Sequence, residues 1–163
     1  MPKQKILRLL LVAGLFFLPF NISSSQARAG STINSPPATT PGWSFTGEQP
    51  ENYLGASWMP VGDVDGDSYE DLIFGAQRFD TATITNAGRA YLFYGYYTGL
   101  GSTPGWVADG EMTDAYFGNS VAGAGDVNGD GFDDVLVGSV GYDLTIPETL
   151  NVGKAYLYLG SDA

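Results

Sequence analysis

The chain has 163 residues, with 18 acidic residues against 7 lysines and arginines, and it contains neither histidine nor cysteine. Its net charge of −11 at pH 7 disfavours nucleic acid and anionic membranes as partners, because like charges repel. The missing residue types exclude disulfide bonds and any catalysis that depends on histidine or cysteine.

The first 29 residues have the layout of a secretory signal peptide. Basic residues precede or interrupt an apolar run that ends at Phe20, and the small residues Ala27 and Ala29 predict cleavage before Gly30. A retained membrane anchor is the alternative, but it needs about 20 apolar residues and Pro19 cuts the run short. Cleavage would leave 3 basic against 18 acidic residues, a net charge of −15. We therefore expect a secreted or extracellular protein without membrane insertion, with the periplasm or the cell surface as further possibilities.

Residues 30–42 are rich in proline, serine and threonine, and this composition predicts a linker that cannot form a hydrophobic core. The remaining residues, 43–163, are enough for one modest domain. We expect the folded part of the chain to lie there.

Two acidic loops of nine residues follow, DVDGDSYED at 63–71 and DVNGDGFDD at 126–134. In each loop, oxygen-bearing side chains stand at positions 1, 3, 5 and 9, and a glycine at position 4 allows a tight turn. Hard oxygen ligands at this density suit Ca²⁺ better than the stricter octahedron of Mg²⁺. Aspartate and glycine also favour solvent-exposed turns that bind no metal, but the occurrence of the loop twice in register disfavours this explanation.

We predict two calcium sites, each built from four side chains and the backbone carbonyl at loop position 7. An EF-hand is excluded, because its bidentate acid at position 12 is replaced by Phe74 in one loop and by Val137 in the other. The predicted ligands are Asp63, Asp65, Asp67, Asp71 and the Tyr69 carbonyl, and then Asp126, Asn128, Asp130, Asp134 and the Phe132 carbonyl.

The loops belong to a longer repeat with a step of 63 residues. Between 40–80 and 103–143, 17 of 41 positions are identical without a gap. Further on, GRAYLFYG at 88–95 matches GKAYLYLG at 153–160, offset by 65 because one loop grows by two residues. The predicted repeats are therefore 43–105 and 106–163.

Each repeat predicts short β-strands, because glycines interrupt nearly every apolar run and disfavour helices. In the second repeat, strands are expected before the acidic loop at 120–125, after it at 134–139, and at 154–160. A fourth short strand is expected to start at each repeated tryptophan, Trp43 and Trp106. Four antiparallel strands per repeat are typical of a β-propeller blade, so we predict an all-β fold of about two blades.

These residues closely resemble the FG-GAP repeat, the blade unit of the integrin alpha-subunit β-propeller and of many secreted bacterial proteins. The FG element is Phe117-Gly118 in the second repeat and the variant Leu54-Gly55 in the first, while the proline of the GAP element is absent from both repeats. The resemblance implies that each acidic loop joins the first two strands of a blade and binds calcium on one face of the propeller.

Propellers typically close a ring of about 4 to 8 blades, and two blades cannot do so. We therefore expect an incomplete or truncated propeller, whose missing blades belong to a longer chain, to further copies of this chain or to another polypeptide. Exposed strand edges and blade faces would favour self-association.

The aromatic residues predict packing more than ligand contact. Trp43 and Trp106 recur in register, which favours a place in the blade core, and the strand position of Trp58 also favours the core. Tyr96 and Tyr97 are expected to form an exposed pair in a loop.

Candidate catalytic residues are few, so we expect no enzyme activity. The repeated Glu48 and Glu111 are better explained as copies of a structural position than as a glycosidase pair. By resemblance, the leading hypothesis is a module for extracellular adhesion or recognition of a protein or glycan, with structural calcium. The alternative is the propeller portion of an extracellular carbohydrate-active enzyme, such as a polysaccharide lyase.

Overall fold

The computed structural model describes residues 39–144 and 151–162, which lie in one compact unit, Thr39–Ala163. The predicted signal peptide and most of the linker fall outside these residues. Over the described ranges the chain forms nine β-strands and no helix, so no helix there is long and apolar enough to cross a membrane. The strands are β1 Ser57–Gly62, β2 Asp71–Ala76, β3 Arg89–Phe93, β4 Gly95–Tyr96, β5 Gly99–Leu100, β6 Trp106–Asp109, β7 Phe117–Gly125, β8 Asp134–Ser139 and β9 Lys154–Tyr158.

The strands form two stacked antiparallel sheets and one small hairpin. Sheet 1 has the order β1-β2-β3-β6, and sheet 2 has the order β7-β8-β9. Strands β4 and β5 pair as a separate hairpin. The predicted all-β class is confirmed, and sheets of this size agree with partial propeller blades.

The fourth strand of sheet 1 comes from the second repeat, whereas its other three strands come from the first. The predicted strand at Trp106 is present, but it pairs with β3, where Leu92 is opposite Trp106 and Arg89 is opposite Asp109. Sheet 1 thus ends beyond the predicted repeat boundary at 105/106. At Trp43 the expected strand does not form, and the segment instead packs its aromatic rings against sheet 1.

The main core lies between the two sheets. Alternate residues of β3 divide between its two faces, because successive side chains of a strand point in opposite directions. Ala90 and Leu92 face sheet 2, whereas Tyr91 and Phe93 face the other way. The buried members of the core between the sheets are Val61, Val64, Ile73, Ala90, Leu92, Phe117, Val121, Val135 and Val137.

A second cluster covers the outer face of sheet 1. Trp43 and Phe45, from the segment before β1, pack there with Tyr91 and Phe93. The Trp43 ring meets Phe93 edge-on at 5.0 Å, and its Nε1 donates a hydrogen bond of 2.7 Å to the Gly101 carbonyl. The predicted packing role of the two repeated tryptophans is confirmed, since Trp43 is partly buried against this cluster and Trp106 is partly buried against the core between the sheets.

Trp58 was expected in the core, and that prediction is wrong, since its side chain is 60 % exposed. Its repeat counterpart, Val121, is 9 % exposed because it faces sheet 1 in the core. Trp58 occupies the equivalent place on sheet 1, where the described residues supply no covering sheet. The exposed tyrosine pair is confirmed, with Tyr96 at 48 % and Tyr97 at 82 %.

The FG element brings the two sheets into backbone contact. Phe117 is fully buried, and its amide donates a hydrogen bond of 3.0 Å to the Ala87 carbonyl of the first repeat. A Cβ atom on Gly75 would lie 1.9 Å from the Gly118 carbonyl oxygen. Only glycine fits at position 75, because its neighbour across the interface is backbone that cannot rotate away.

Candidate metal centres

Each acidic loop joins the first two strands of its sheet, as the resemblance implied. The first loop connects β1, which ends at Gly62, to β2, which begins at Asp71. The second connects β7, which ends at Gly125, to β8, which begins at Asp134. Both loops therefore start and end on hydrogen-bonded strands, which fix the positions of their first and last acids.

The aspartate at position 1 organises the turn in both loops. Asp63 accepts hydrogen bonds from the amides of Gly66 and Ser68, each at 2.8 Å. Asp126 accepts the corresponding bonds from Gly129 at 2.7 Å and Gly131 at 2.9 Å. The Gly131 amide is the main reason that the pKa of Asp126 is lowered from its ordinary value, because amide donors favour the carboxylate form.

The aspartate at position 9 links its loop by hydrogen bonds to a residue just beyond the C-terminal end of the third strand. Asp71 is fully buried and accepts the amides of Val64 at 2.9 Å and Gly95 at 2.8 Å. Asp134 is also fully buried and accepts the amides of Val127 and Gly160, both at 2.9 Å. A carboxylate oxygen has more than one acceptor site, so these bonds leave room for a cation.

The first loop brings three carboxylates together. Oxygens of Asp63, Asp65 and Asp71 lie within 4.8 Å of one another, and over the described residues this is the one such group of three. Asp65 and Asp71 are buried, yet no lysine or arginine within those residues forms an ion pair with either. Burial raises the pKa of Asp71 to about 6, opposed by its amide donors, and burial also raises that of Asp65.

Such a cluster fits a hard divalent cation. Buried like charges without a basic partner are costly, and a cation held between them would remove both the repulsion and part of the desolvation cost. The donors are all carboxylate oxygens, the class that Ca²⁺ and Mg²⁺ prefer.

The remaining predicted ligands are placed less tightly. Asp67 lies outside the group of three, and it accepts the Tyr69 amide at 2.9 Å. In the second loop, the Asn128 amide group donates to Asp130 at 2.7 Å, and Asp130 also accepts the Phe132 amide at 3.0 Å. Asn128 stands at position 3, where the first loop has Asp65, so the second loop holds one carboxylate fewer than the first. The carbonyls of Tyr69 and Phe132 as ligands stay a prediction.

The acid at position 8 of the second loop is a structural residue that sequence reasoning missed. Asp133 accepts the Asp63 amide at 2.9 Å, and its own amide donates to the Asp63 carbonyl at 2.9 Å. The Phe132 ring also packs over Gly66. The second loop is thus hydrogen-bonded to the first. The signal was present, because position 8 is acidic in both loops, as Glu70 and Asp133.

Glu48 and Glu111 form the same ion pair in both repeats, which supports the structural interpretation of these acids. Glu48 lies 3.0 Å from Arg89, and Glu111 lies 3.2 Å from Lys154, each at the start of the third strand. Arg89 in addition donates to Asp109 of β6 at 2.7 Å.

Comparison with known families agrees with this architecture. The FG-GAP repeat model matches residues 55–93 and 117–158, so each match covers one acidic loop with the strands on both sides of it. The chain therefore belongs to the FG-GAP repeat family.

Its curated relatives include integrin alpha subunits. Integrin alpha-5 of Xenopus laevis is 31% identical over 112 residues, which cover 66% of this chain and 10% of the relative. Integrin alpha-8 of Gallus gallus is 34% identical over 119 residues, or 69% of this chain and 10% of the relative. Integrin alpha-IIb of Homo sapiens is 34% identical over 98 residues, or 60% and 9%. The chain thus spans about a tenth of the length of these relatives.

Proposed function

We propose that the chain is a secreted, non-catalytic FG-GAP module in which calcium holds the acidic loops and an adjacent surface recognises a protein or glycan outside the cell. The observation that carries the proposal is the group of Asp63, Asp65 and Asp71, of which the last two are buried, and which has no basic partner within the described residues. Similarity to integrin alpha subunits supports the extracellular setting.

In this proposal calcium is structural. Four side chains of each loop, with the carbonyl at position 7, would hold one ion, and the amides that fix positions 1 and 9 keep those acids in place. The ion would lower the repulsion among the acids and would reduce the freedom of the loop between its two strands. Affinity in extracellular modules is on the order of 10⁻⁴ to 10⁻³ M, which suits a calcium-rich exterior.

The exposed tyrosines next to the first loop provide a recognition surface. Tyr96 and the loop residue Asp67 line the same surface depression, and Tyr97 stands beside Tyr96 in the turn between β4 and β5. Aromatic rings present a large, rigid contact area to sugars or to protein side chains at little cost in side-chain entropy. Calcium would then act on recognition indirectly, because it would hold the acidic loop that contributes Asp67 to the depression in one conformation.

Binding to glycan and extracellular-matrix protein arrays tests the proposal. We expect calcium-dependent binding that Tyr97→Ala weakens at least about tenfold without a change in melting temperature, while Ala82→Ser, at an exposed site in the loop between β2 and β3, leaves it unchanged. Absence of any calcium heat in calorimetry would refute the structural part. Breakdown of a polysaccharide by the chain would instead favour the carbohydrate-active alternative.

A further inference from the structure

One face of sheet 1 packs against the opposite face of sheet 2. The equivalent apolar face of sheet 2 is therefore left exposed. Leu136 and Leu157 are 39 % and 47 % exposed, whereas their repeat counterparts on sheet 1, Ile73 and Leu92, are 0 % and 2 % exposed. Val127 in the second loop is likewise exposed, although its counterpart Val64 is buried. The open face of sheet 2 therefore carries the same kind of apolar residues that sheet 1 buries against sheet 2, but no sheet of the described residues covers them.

The outer edge of sheet 2 is open in the same way. Strand β9 corresponds to β3, and β3 pairs along its outer edge with β6. Within residues 39–144 and 151–162, no strand pairs with the outer edge of β9. An open edge of this kind offers a row of backbone donors and acceptors to another strand.

The segment at Trp43–Phe45 occupies on sheet 1 the place that the start of β6 occupies on sheet 2. Trp106 meets Tyr158 edge-on at 4.7 Å, and Trp43 meets Phe93, the counterpart of Tyr158, edge-on at 5.0 Å. The segment thus lies where the fourth strand of a preceding sheet would lie. It has the side chains of that strand but no strand partner within the described residues.

Polar groups at the two ends also match. The Asp63 amide is capped by Asp133, but no described residue caps the equivalent Asp126 amide. Conversely, no described residue forms a hydrogen bond or ion pair with the carboxylate of Glu70, the counterpart of Asp133. One end of the unit therefore presents an uncapped amide, and the other presents the free acid that would cap it.

We propose that a second copy of this chain docks head to tail, so that sheet 2 of one copy packs on sheet 1 of the next. The Trp43–Phe45 segment of the next copy then pairs with β9, and the register of β3 with β6 places Leu157 opposite Trp43 and Ala155 opposite Phe45. Glu70 caps the Asp126 amide across the interface, and Trp58 is buried as its counterpart Val121 is.

This contact is heterologous, since the two copies use different surfaces, and it therefore builds a ring or a longer array. It leaves the recognition surface accessible. In the observed contact between sheet 1 and sheet 2, Ser161 and Asp162, the counterparts of Tyr96 and Tyr97, are exposed. Because the proposed contact repeats this arrangement, Tyr96 and Tyr97 should stay exposed as well.

Sedimentation velocity and light scattering of the purified chain in calcium buffer test the proposal. We expect the wild type to associate in a concentration-dependent way. Leu157→Glu blocks the open face of sheet 2, Trp58→Glu blocks the outer face of sheet 1, and each should weaken association at least about tenfold, because a charge is then buried without a partner. Ala82→Glu, which adds the same charge in the loop between β2 and β3, should associate as the wild type does. Melting temperatures confirm that each variant is folded.

Mixing provides the decisive measurement. Leu157→Glu protein retains a competent sheet 1 and Trp58→Glu protein retains a competent sheet 2, so an equal mixture should form a 1:1 dimer that goes no further. Self-association of Trp58→Glu alone would show a symmetric contact through sheet 2 and overturn the proposal. A wild type that stays monomeric at all concentrations would also overturn it and leave the face to another polypeptide.

Discussion

Asp133 and Asp63 form a two-way link between the acidic loops: the Asp133 carboxylate accepts the Asp63 amide, and the Asp63 carbonyl accepts the Asp133 amide, both at 2.9 Å. Asp63 is also the first acid of the first loop. The packing of the two sheets and the shape of this loop are therefore coupled through one residue.

The link predicts an asymmetry between the two acids at loop position 8. Asp133→Ala removes a charged acceptor from a partly buried amide and should lower the free energy of unfolding by about 1.5–3 kcal/mol. Glu70→Ala is the matched control, since no described residue contacts its carboxylate through a hydrogen bond or ion pair, and it should change the stability of the monomer by less than about 0.5 kcal/mol. Urea titrations in calcium buffer, under dilute conditions, compare the two. Equal effects would refute the importance of the link.

Calcium removal should destabilise the chain, and its two loops should differ. We expect calorimetry to show two sites, the tighter one in the first loop, because positions 1, 3, 5 and 9 carry four carboxylates in that loop and three in the second. Chelation should lower the melting temperature, since an ion that binds only the folded state stabilises it.

Exchanging the residues at loop position 3 tests which loop holds the tighter calcium site. Asp65→Asn should weaken the tighter site, and Asn128→Asp should strengthen the other, each by about tenfold, because ligand charge tunes calcium affinity. Each variant serves as the control for the other. A change in the same direction for both would contradict the assignment of the sites.

The contact at Gly75 predicts a large effect from a single methyl group. Gly75→Ala would place Cβ 1.9 Å from the Gly118 carbonyl oxygen, so the two sheets must move apart, at a cost of about 2–3 kcal/mol. At the counterpart Gly138, the nearest atom is the Ser120 hydroxyl at 2.3 Å, which can rotate away. Gly138→Ala should therefore cost clearly less in thermal unfolding, and the reverse order would count against the interface.

Ser68 holds a left-handed backbone angle, with φ at 71°, where its counterpart Gly131 has φ at 96°. A side chain strains this conformation, whereas glycine adopts it freely. Ser68→Gly should stabilise the chain by up to about 1 kcal/mol, and Gly131→Ala should destabilise it by about 1 kcal/mol. Differential scanning calorimetry would detect both shifts, and a loss of stability in Ser68→Gly would be the contrary outcome.

The sequence predicted what each repeat contains. Strand β8 begins at Asp134 and ends at Ser139, as the apolar run after the second acidic loop indicated. The loops also lie between the expected strands, because acids at fixed spacing, with glycine at position 4, have few other conformations.

What could not be predicted were the relationships between repeats. Trp58 has a strand pattern typical of the core, but whether a strand face is covered depends on the neighbouring sheet. The role of Asp133 depends on the Asp63 amide, which is 70 residues away in the chain. Asp67 stays a predicted ligand, and the structure adds what the spacing did not indicate, that its carboxylate accepts the Tyr69 amide.

Strand β6 is encoded by one repeat and hydrogen-bonded into the sheet of the other. Tension applied along the backbone therefore has to strip this strand from β3 before the repeats can separate. The two repeats are therefore joined by main-chain hydrogen bonds as well as by the apolar contact between the sheets, and their separation under tension would break both.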